Sequence, residues 1–87
     1  RKGQGENLWR GPRGVWSPWE TVGFFVAERR HFRPGQFPDI SRTGQWSDVA
    51  HYTQVIWPST REVGCAAAYT STEEVLVCRY WPAGNIW

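Results

Sequence analysis

The sequence predicts a small α+β domain, and three observations support this class. A capping signal at Ser17 starts a helix. A shorter apolar-patterned segment ends before Pro58 and forms a second helix. From Glu62 onward the apolar residues alternate with a period of two, which is typical of a β-hairpin. A chain of 87 residues forms one domain, and a domain of this size is usually only marginally stable unless a cross-link or similar feature stabilises it.

The first helix follows a glycine-rich start. Residues 1–17 contain four glycines and predict irregular structure around Leu8 and Trp9. Ser17 then serves as N-cap, Pro18 occupies the first helical position, and Glu20 completes a capping box. We expect a helix over residues 18–31.

One face of this helix carries apolar residues at spacings of three and four positions. Trp19, Val22 and Val26 form the stripe, and Phe25 widens it. The pattern predicts that this face packs on the core.

A long ordered loop over residues 33–46 separates the two helices, since it holds prolines and glycines without a sustained period. Ser47 or Asp48 can cap the second helix. That helix is expected to span about eight residues and to end at Trp57. His51 falls in its first turn.

The C-terminal part predicts a hairpin linked by Cys65 and Cys78. Pairing these cysteines also places Val63 opposite Tyr80, Ala67 opposite Leu76, and Tyr69 opposite Glu74. Residues 70–73 form the connection. The other face carries Gly64, Ala66 and Ala68 against Val75 and Val77, which allows close packing of a helix. The alternative for the cysteines is a pair of reduced, buried thiols in a cytosolic protein.

Composition narrows the function classes. The formal charge is +2, with 10 basic and 8 acidic residues, too slight to indicate nucleic acid binding. No stretch approaches the roughly 18 apolar residues that a membrane span requires. Seven tryptophans, many for this length, must fill a core, stack on a ligand, or both.

Candidate chemistry comes from histidines and carboxylates, because imidazole nitrogen and ionised oxygen suit zinc and similar ions. Glu28 shares a helical side with Phe24 and Phe25, which makes it the candidate carboxylate of this helix. The alternative is that Glu28 has no role in a site and is an exposed glutamate near the helix end, with its charge compensated by nearby arginines. His31 suits a helix C-terminus. Spacing alone brings none of these residues together.

Four ordered segments resemble the CAP superfamily of cysteine-rich secretory, antigen 5 and pathogenesis-related proteins, the SCP-type domain. The first two resemble the family's G-E-N box and the end of its W-V-x-E helix. The third resembles its H-Y-T-Q-V-V-W run and the V-G-C-A segment that follows, and the last resembles C-x-Y-x-P-x-G-N. In this chain they are Gly5-Glu6-Asn7-Leu8-Trp9, Phe25-Val26-Ala27-Glu28, His51-Tyr52-Thr53-Gln54-Val55-Ile56-Trp57 with Val63-Gly64-Cys65-Ala66, and Cys78-Arg79-Tyr80-Trp81-Pro82-Ala83-Gly84-Asn85.

The resemblance implies an αβα sandwich with a small antiparallel sheet, secretion or export to the periplasm, and a cleft lined by two histidines and two glutamates. Glu6, Glu28 and His51 match three of these four positions. The family's first histidine is absent, because the five residues ahead of Glu6 are Arg1, Lys2, Gly3, Gln4 and Gly5. The family's first helix is absent as well, so residues 1–87 resemble a single partial domain.

Two consequences follow from these departures. A divalent cation such as zinc, held by Glu6, Glu28 and His51, would need water to complete its shell and would bind weakly. The missing helix should expose part of the sheet and several tryptophans, unless a rearranged loop or a partner chain, such as a second copy of this chain, covers them.

The resemblance favours a binding module over an enzyme, with a cation, an apolar lipid or sterol-like molecule, or a protein as ligand. Two alternatives stay open. One is a hydrolase in which a metal-bound or glutamate-activated water attacks a peptide or ester. The other is a glycan-binding surface formed by exposed tryptophans.

Overall fold

The computed structural model describes residues 3–86. Arg1, Lys2 and Trp87 lie outside the described residues, so the structure describes six of the seven tryptophans. The chain forms one three-stranded antiparallel sheet and two α-helices, each helix flanked by a 3₁₀ turn. In chain order the elements are β1 (Gly5–Pro12), α1 (Pro18–Ala27), a 3₁₀ turn (Glu28–His31), a second 3₁₀ turn (Trp46–Val49), α2 (Ala50–Ile56), β2 (Glu62–Tyr69) and β3 (Glu73–Trp81). The predicted α+β class is confirmed.

The sheet has the order β1-β3-β2, so β3 is its central strand. The prediction of irregular structure around Leu8 and Trp9 is wrong, because β1 covers both residues and pairs with β3 along its whole length. Asn7 lies opposite Cys78, and Trp9 lies opposite Leu76. The glycines of this segment obscured the strand, which depends on a partner more than sixty residues away along the chain.

The hairpin register is confirmed. Cys65 lies opposite Cys78 and the two form a disulfide, while the other three predicted pairs are also observed. The connection is one residue shorter than expected, since β3 already begins at Glu73. Thr70 closes the turn by donating its backbone N–H to the carbonyl of Glu73 at 2.8 Å.

The capping box of α1 is confirmed. The Ser17 hydroxyl accepts from the Glu20 N–H at 3.2 Å, and the Glu20 carboxylate accepts from the Ser17 N–H at 3.0 Å. Helical structure reaches residue 31 as predicted, with a last turn that is 3₁₀. The predicted packing face is confirmed at Phe25, which is buried in the core, and at Val22, which packs against that core. It is wrong at Trp19 and Val26, which are 88% and 39% exposed.

The second helix begins later than expected and lacks the predicted cap. Ser47 and Asp48 lie within the 3₁₀ turn that precedes it, and Val49 at the N-cap offers no side-chain hydrogen bond. Asp48 instead accepts a hydrogen bond from the hydroxyl of Thr43 at 2.6 Å. The helix ends where predicted, with Trp57 as its C-cap.

The core lies between the sheet and the helices. Phe25 packs there against Leu76, Cys78 and Tyr80 of the central strand. All four are buried. Because side chains alternate along a strand, the residues between these three on β3 face the other side of the sheet.

That other side is open among the described residues. The prediction that a helix packs on Gly64, Ala66 and Ala68 is wrong, since every residue of β2 is exposed and both helices lie on the opposite side. Leu8 of β1 is also exposed. Within residues 3–86, no helix is both long enough and apolar enough to cross a membrane.

Candidate functional site

Glu28 follows α1 directly and caps the N-terminus of α2. One carboxylate oxygen, Oε1, accepts from the backbone N–H of His51 at 2.9 Å and of Tyr52 at 3.1 Å. These are the second and third residues of the helix, whose N–H groups have no partner within the helix itself. A negative charge at this end also interacts favourably with the helix dipole. Glu28 therefore supplies the cap that Val49 cannot.

The second carboxylate oxygen of Glu28 holds the His51 ring. Oε2 lies 2.7 Å from Nδ1, and the imidazole stacks on the Phe25 ring with centroids 5.0 Å apart and planes 10° from parallel. A carboxylate accepts hydrogen bonds, so Nδ1 is the donor in this contact, and in the neutral tautomer that matches it the lone pair lies on Nε2. The His51 side chain is 39% exposed. The Glu28 contact and the Phe25 ring thus orient a partly exposed imidazole.

Asn7 ties the helix to the sheet from the other side. Its amide Nδ2 donates to the His51 carbonyl at 3.1 Å and to the Tyr80 hydroxyl at 3.0 Å. Burial raises the pKa of Tyr80 above its usual value of 10.0, and the hydrogen bond from Asn7 opposes that shift in part. Because Asn7 is itself buried, this bridge fixes the position of His51 relative to β3.

Contacts of Gln54 account for two of the glycines in the segments that resemble the CAP family. Its side chain is buried, and Oε1 accepts from the Gly84 N–H at 3.2 Å. A Cβ at Gly84 would lie 2.6 Å from the Trp57 ring, and one at Gly5 would overlap the Gln54 amide. Both glycines are therefore required for close approach of the backbone to α2.

Asn85 anchors the C-terminal segment to the same helix. It adopts a positive φ of 55°, which asparagine tolerates better than most residues. Its Oδ1 accepts from the Thr53 hydroxyl at 2.6 Å, and its Nδ2 donates to the Ala50 carbonyl at 2.7 Å. Together with Asn7, Gln54 and Tyr80, it belongs to the polar shell around α2 that sequence reasoning did not single out. These residues could have been found from the sequence because all of them lie within the segments that resemble the CAP family.

The structure does not bring Glu6 to this pair. Glu6 is exposed on β1 and lies 3.6 Å from Nε of Arg79, its register partner on β3. Its neighbour Asn7 faces the helices, so Glu6 faces the open side of the sheet. Within residues 3–86, no group of three or more His, Cys, Asp or Glu side chains could hold a metal ion. Of the three candidates, the fold joins Glu28 and His51.

The other histidine stands apart from the site. His31 ends the 3₁₀ turn after α1, and its Nε2 accepts from Nε of Arg30 at 3.1 Å. Its carbonyl accepts from the Arg42 N–H at 2.7 Å. His31 therefore remains a residue of the helix end, as its sequence position indicated.

Residues 1–80 match the family described as CAP, the cysteine-rich secretory protein family. The chain belongs to this family. It is 35% identical to GLIPR1-like protein 1 of Bos taurus, over 93% of this chain and 33% of that protein. It is 34% identical to pathogenesis-related protein PR-1 of Medicago truncatula, over 93% of this chain and 46% of that protein. This CAP chain therefore spans about a third to a half of the length of these relatives.

A solved structure agrees with this assignment. The crystal structure of NaASP2 with Zn²⁺ superposes on this CAP chain with a TM-score of 0.77 and 29% identity, over 99% of this chain and 47% of that one. The α+β arrangement of helices on a small antiparallel sheet is thus that of a CAP domain. The Cys65–Cys78 disulfide is consistent with an oxidising compartment.

Proposed function

We propose that this chain is a secreted binding module that contacts its ligand through Nε2 of His51. The observation that carries the proposal is the 2.7 Å contact between Nδ1 of His51 and Oε2 of Glu28. A carboxylate on one ring nitrogen fixes the ring orientation and raises the basicity of the other nitrogen, which is how metal-binding histidines are commonly supported. The partial exposure of the ring gives a ligand access.

For a divalent cation such as zinc, this site offers one protein ligand, Nε2 of His51. Both oxygens of Glu28 already accept hydrogen bonds, so Glu28 supports the ligand His51 without being a ligand itself. Water or a second molecule would fill the remaining positions, and binding would be weak. NaASP2, whose structure was solved with Zn²⁺, lends support to a cation of this kind.

Calorimetric titration of the tag-free protein with zinc chloride tests the cation. We expect weak binding by the wild-type chain and by a His31→Ala variant, which removes the other histidine and serves as the matched control. His51→Ala should abolish the heat of binding, and Glu28→Gln should weaken binding by about tenfold or more because the supporting charge is lost. Equal affinities for wild type and His51→Ala would refute the proposal.

For an apolar or protein ligand, the exposed aromatic side chains offer the contact surface. Trp19 is 88% exposed and Trp16 is 39% exposed, near the start of α1. Large exposed aromatics are a common feature of binding surfaces. Emission of the wild type and of Trp19→Ala, titrated with neutral lipid vesicles or with soluble glycans, separates a lipid from a glycan. A spectral shift with vesicles that is absent in Trp19→Ala supports the lipid.

A hydrolase is the second candidate function, because an imidazole held by a carboxylate can act as a general base through its free nitrogen. The geometry disfavours direct activation of water by Glu28, whose oxygens accept three hydrogen bonds. A panel of peptide and ester substrates tests this candidate. Activity that disappears in both His51→Ala and Glu28→Gln would support it, whereas an inactive wild type would rule it out.

A further inference from the structure

Strand β2 forms an open edge of the sheet. It pairs with β3 on one side, and among residues 3–86 no strand lies on its other side. All eight of its residues, Glu62–Tyr69, are exposed. A strand of this kind presents a row of backbone donors and acceptors to any strand that comes alongside it.

The position of the disulfide in the ladder shows which backbone groups of β2 point outward. Cys65 and Cys78 lie opposite each other with a Cα–Cα distance of 4.0 Å, the close spacing of a pair that exchanges no backbone hydrogen bonds. Thr70 and Glu73, the next pair beyond the strand end, are hydrogen bonded at 2.8 Å. The two kinds of pair alternate along the ladder. The N–H and C=O groups that point away from β3 therefore belong to Val63, Cys65, Ala67 and Tyr69.

The two edges of the sheet differ in their protection against strand pairing. The edge strand β1 carries the exposed charges of Glu6 and Arg10, and it ends at Pro12, which has no N–H to donate. From Val63 to Tyr69, β2 contains no charged residue and no proline. The chain thus protects one edge of its sheet and leaves the other open to pairing.

A second copy of β2 fits this open edge. When two copies pair antiparallel about a two-fold axis at Ala66, every outward residue meets an outward residue of the other copy. Val63 then lies opposite Tyr69 of the other copy, and such β-branched and aromatic pairs stabilise a ladder. These side chains are the largest apolar ones of β2, 61% and 57% exposed in the single chain. On the open side of the sheet, the same register brings together the small residues Gly64, Ala66 and Ala68.

We propose that two copies of this chain associate through β2 and form one continuous antiparallel sheet with three strands from each copy. The outward residues exchange about eight backbone hydrogen bonds. An edge of eight residues is smaller than the roughly 20–30 residues per side of a standard interface, so the dimer is weak and its population depends on concentration. Because each copy has one such edge and β1 is protected, the assembly closes at two copies.

Sedimentation velocity from micromolar to millimolar protein concentration tests the dimer. We expect the wild type to change from monomer to dimer over this range. Ala66→Lys places two lysines opposite each other at the two-fold axis, so it should remain monomeric. Leu8→Lys is the matched control, because it adds the same charge at an exposed position of β1 on the same side of the sheet. It should dimerise like the wild type.

Exchange of charge at the axis separates a lost interface from a misfolded variant. Ala66→Glu should also be monomeric by itself. An equal mixture of Ala66→Lys and Ala66→Glu should form a heterodimer, because the residues that meet at the axis then have opposite charges. Recovery of the dimer in the mixture requires both variants to be folded.

Amide hydrogen exchange of the wild type provides a second measurement that needs no variant. The outward amides of Ala67 and Tyr69 should exchange about tenfold more slowly once most of the protein is dimeric, because they become hydrogen bonded. The amides of Ala66 and Ala68 already bond to β3 and should change less.

Three results would each overturn the proposal. A wild type that stays monomeric at millimolar concentration would leave the edge to a strand of a different protein. A dimer that persists in Ala66→Lys would use another surface. A mixture of the two folded, oppositely charged variants that stays monomeric would show that Ala66 does not lie at the axis.

Discussion

The surroundings of α2 and the strand β2 show two different ways in which this small domain holds an element. Around α2, the buried side chains of Asn7 and Gln54, together with Asn85, make specific hydrogen bonds to backbone or side-chain groups. All eight residues of β2 are exposed, and the strand is held by its ladder with β3 and by one disulfide. The helix is fixed by side-chain chemistry, whereas the strand is fixed by backbone pairing and a covalent bond.

This difference indicates the structural role of the segments that resemble the CAP family. Gly5, Asn7, Gln54 and Asn85 belong to three separate segments, yet all of them contact or surround α2. Their shared structural role is to fix the helix that carries His51. The small residues of β2 can be exposed to solvent, and the strand depends less on specific side-chain contacts than α2 does.

Removal of the disulfide should have the largest effect, since it eliminates the covalent attachment of an otherwise exposed strand. We expect a Cys65→Ala, Cys78→Ala double variant to lose about 2–4 kcal/mol of unfolding free energy in urea titration. Wild-type protein treated with reductant should lose a similar amount. If the double variant is as stable as the oxidised protein, then the ladder with β3 is sufficient to hold β2.

A pair of glycine substitutions compares the two regions directly. Gly5→Ala should lower the free energy of unfolding by about 1–3 kcal/mol, because its Cβ would overlap the buried Gln54 amide. Gly64→Ala on β2 meets nothing within 4 Å and should stay within about 0.5 kcal/mol of the wild type. Urea titration of both variants measures this contrast. Similar losses at the two positions would show that the regions do not differ in packing.

The smallest effect concerns the exposed capping box of α1. Hydrogen bonds from Ser17 lower the pKa of Glu20 below its usual value of 4.5. A lowered pKa stabilises the folded state above the unfolded value, and that contribution is lost as the pH falls through the folded value. The stability difference between wild type and Glu20→Gln should therefore be constant above about pH 5 and shrink below pH 4.5. A difference that is the same at pH 3 and pH 7 would contradict this mechanism.

Local signals predicted the fold well where the chain interacts with near neighbours. The Ser17 capping box and the Cys65–Cys78 register each depend on residues close in sequence or joined by one turn, and both are confirmed. The strand β1 was missed because its partner, β3, lies far along the chain. The cap of α2 was misassigned for the same reason, since the capping carboxylate belongs to Glu28 and not to Ser47 or Asp48.

The site was predictable to the extent that the resemblance named its residues. Residue types and spacing alone could not join Glu28 to His51, because folding places the end of α1 against the start of α2. The resemblance named Glu6 as well, but strand alternation turns it toward Arg79 and the open side of the sheet.

The double engagement of Glu28 also links ligand choice to helix integrity. A ligand that drew this carboxylate away would release the N–H groups of His51 and Tyr52 and fray the first turn of a seven-residue helix. Ligands that use the imidazole nitrogen and leave the carboxylate untouched avoid this penalty. The fold therefore favours ligands that bind the His51 imidazole and leave Glu28 in place. Binding of such a ligand should increase the protection of the α2 amides against hydrogen exchange.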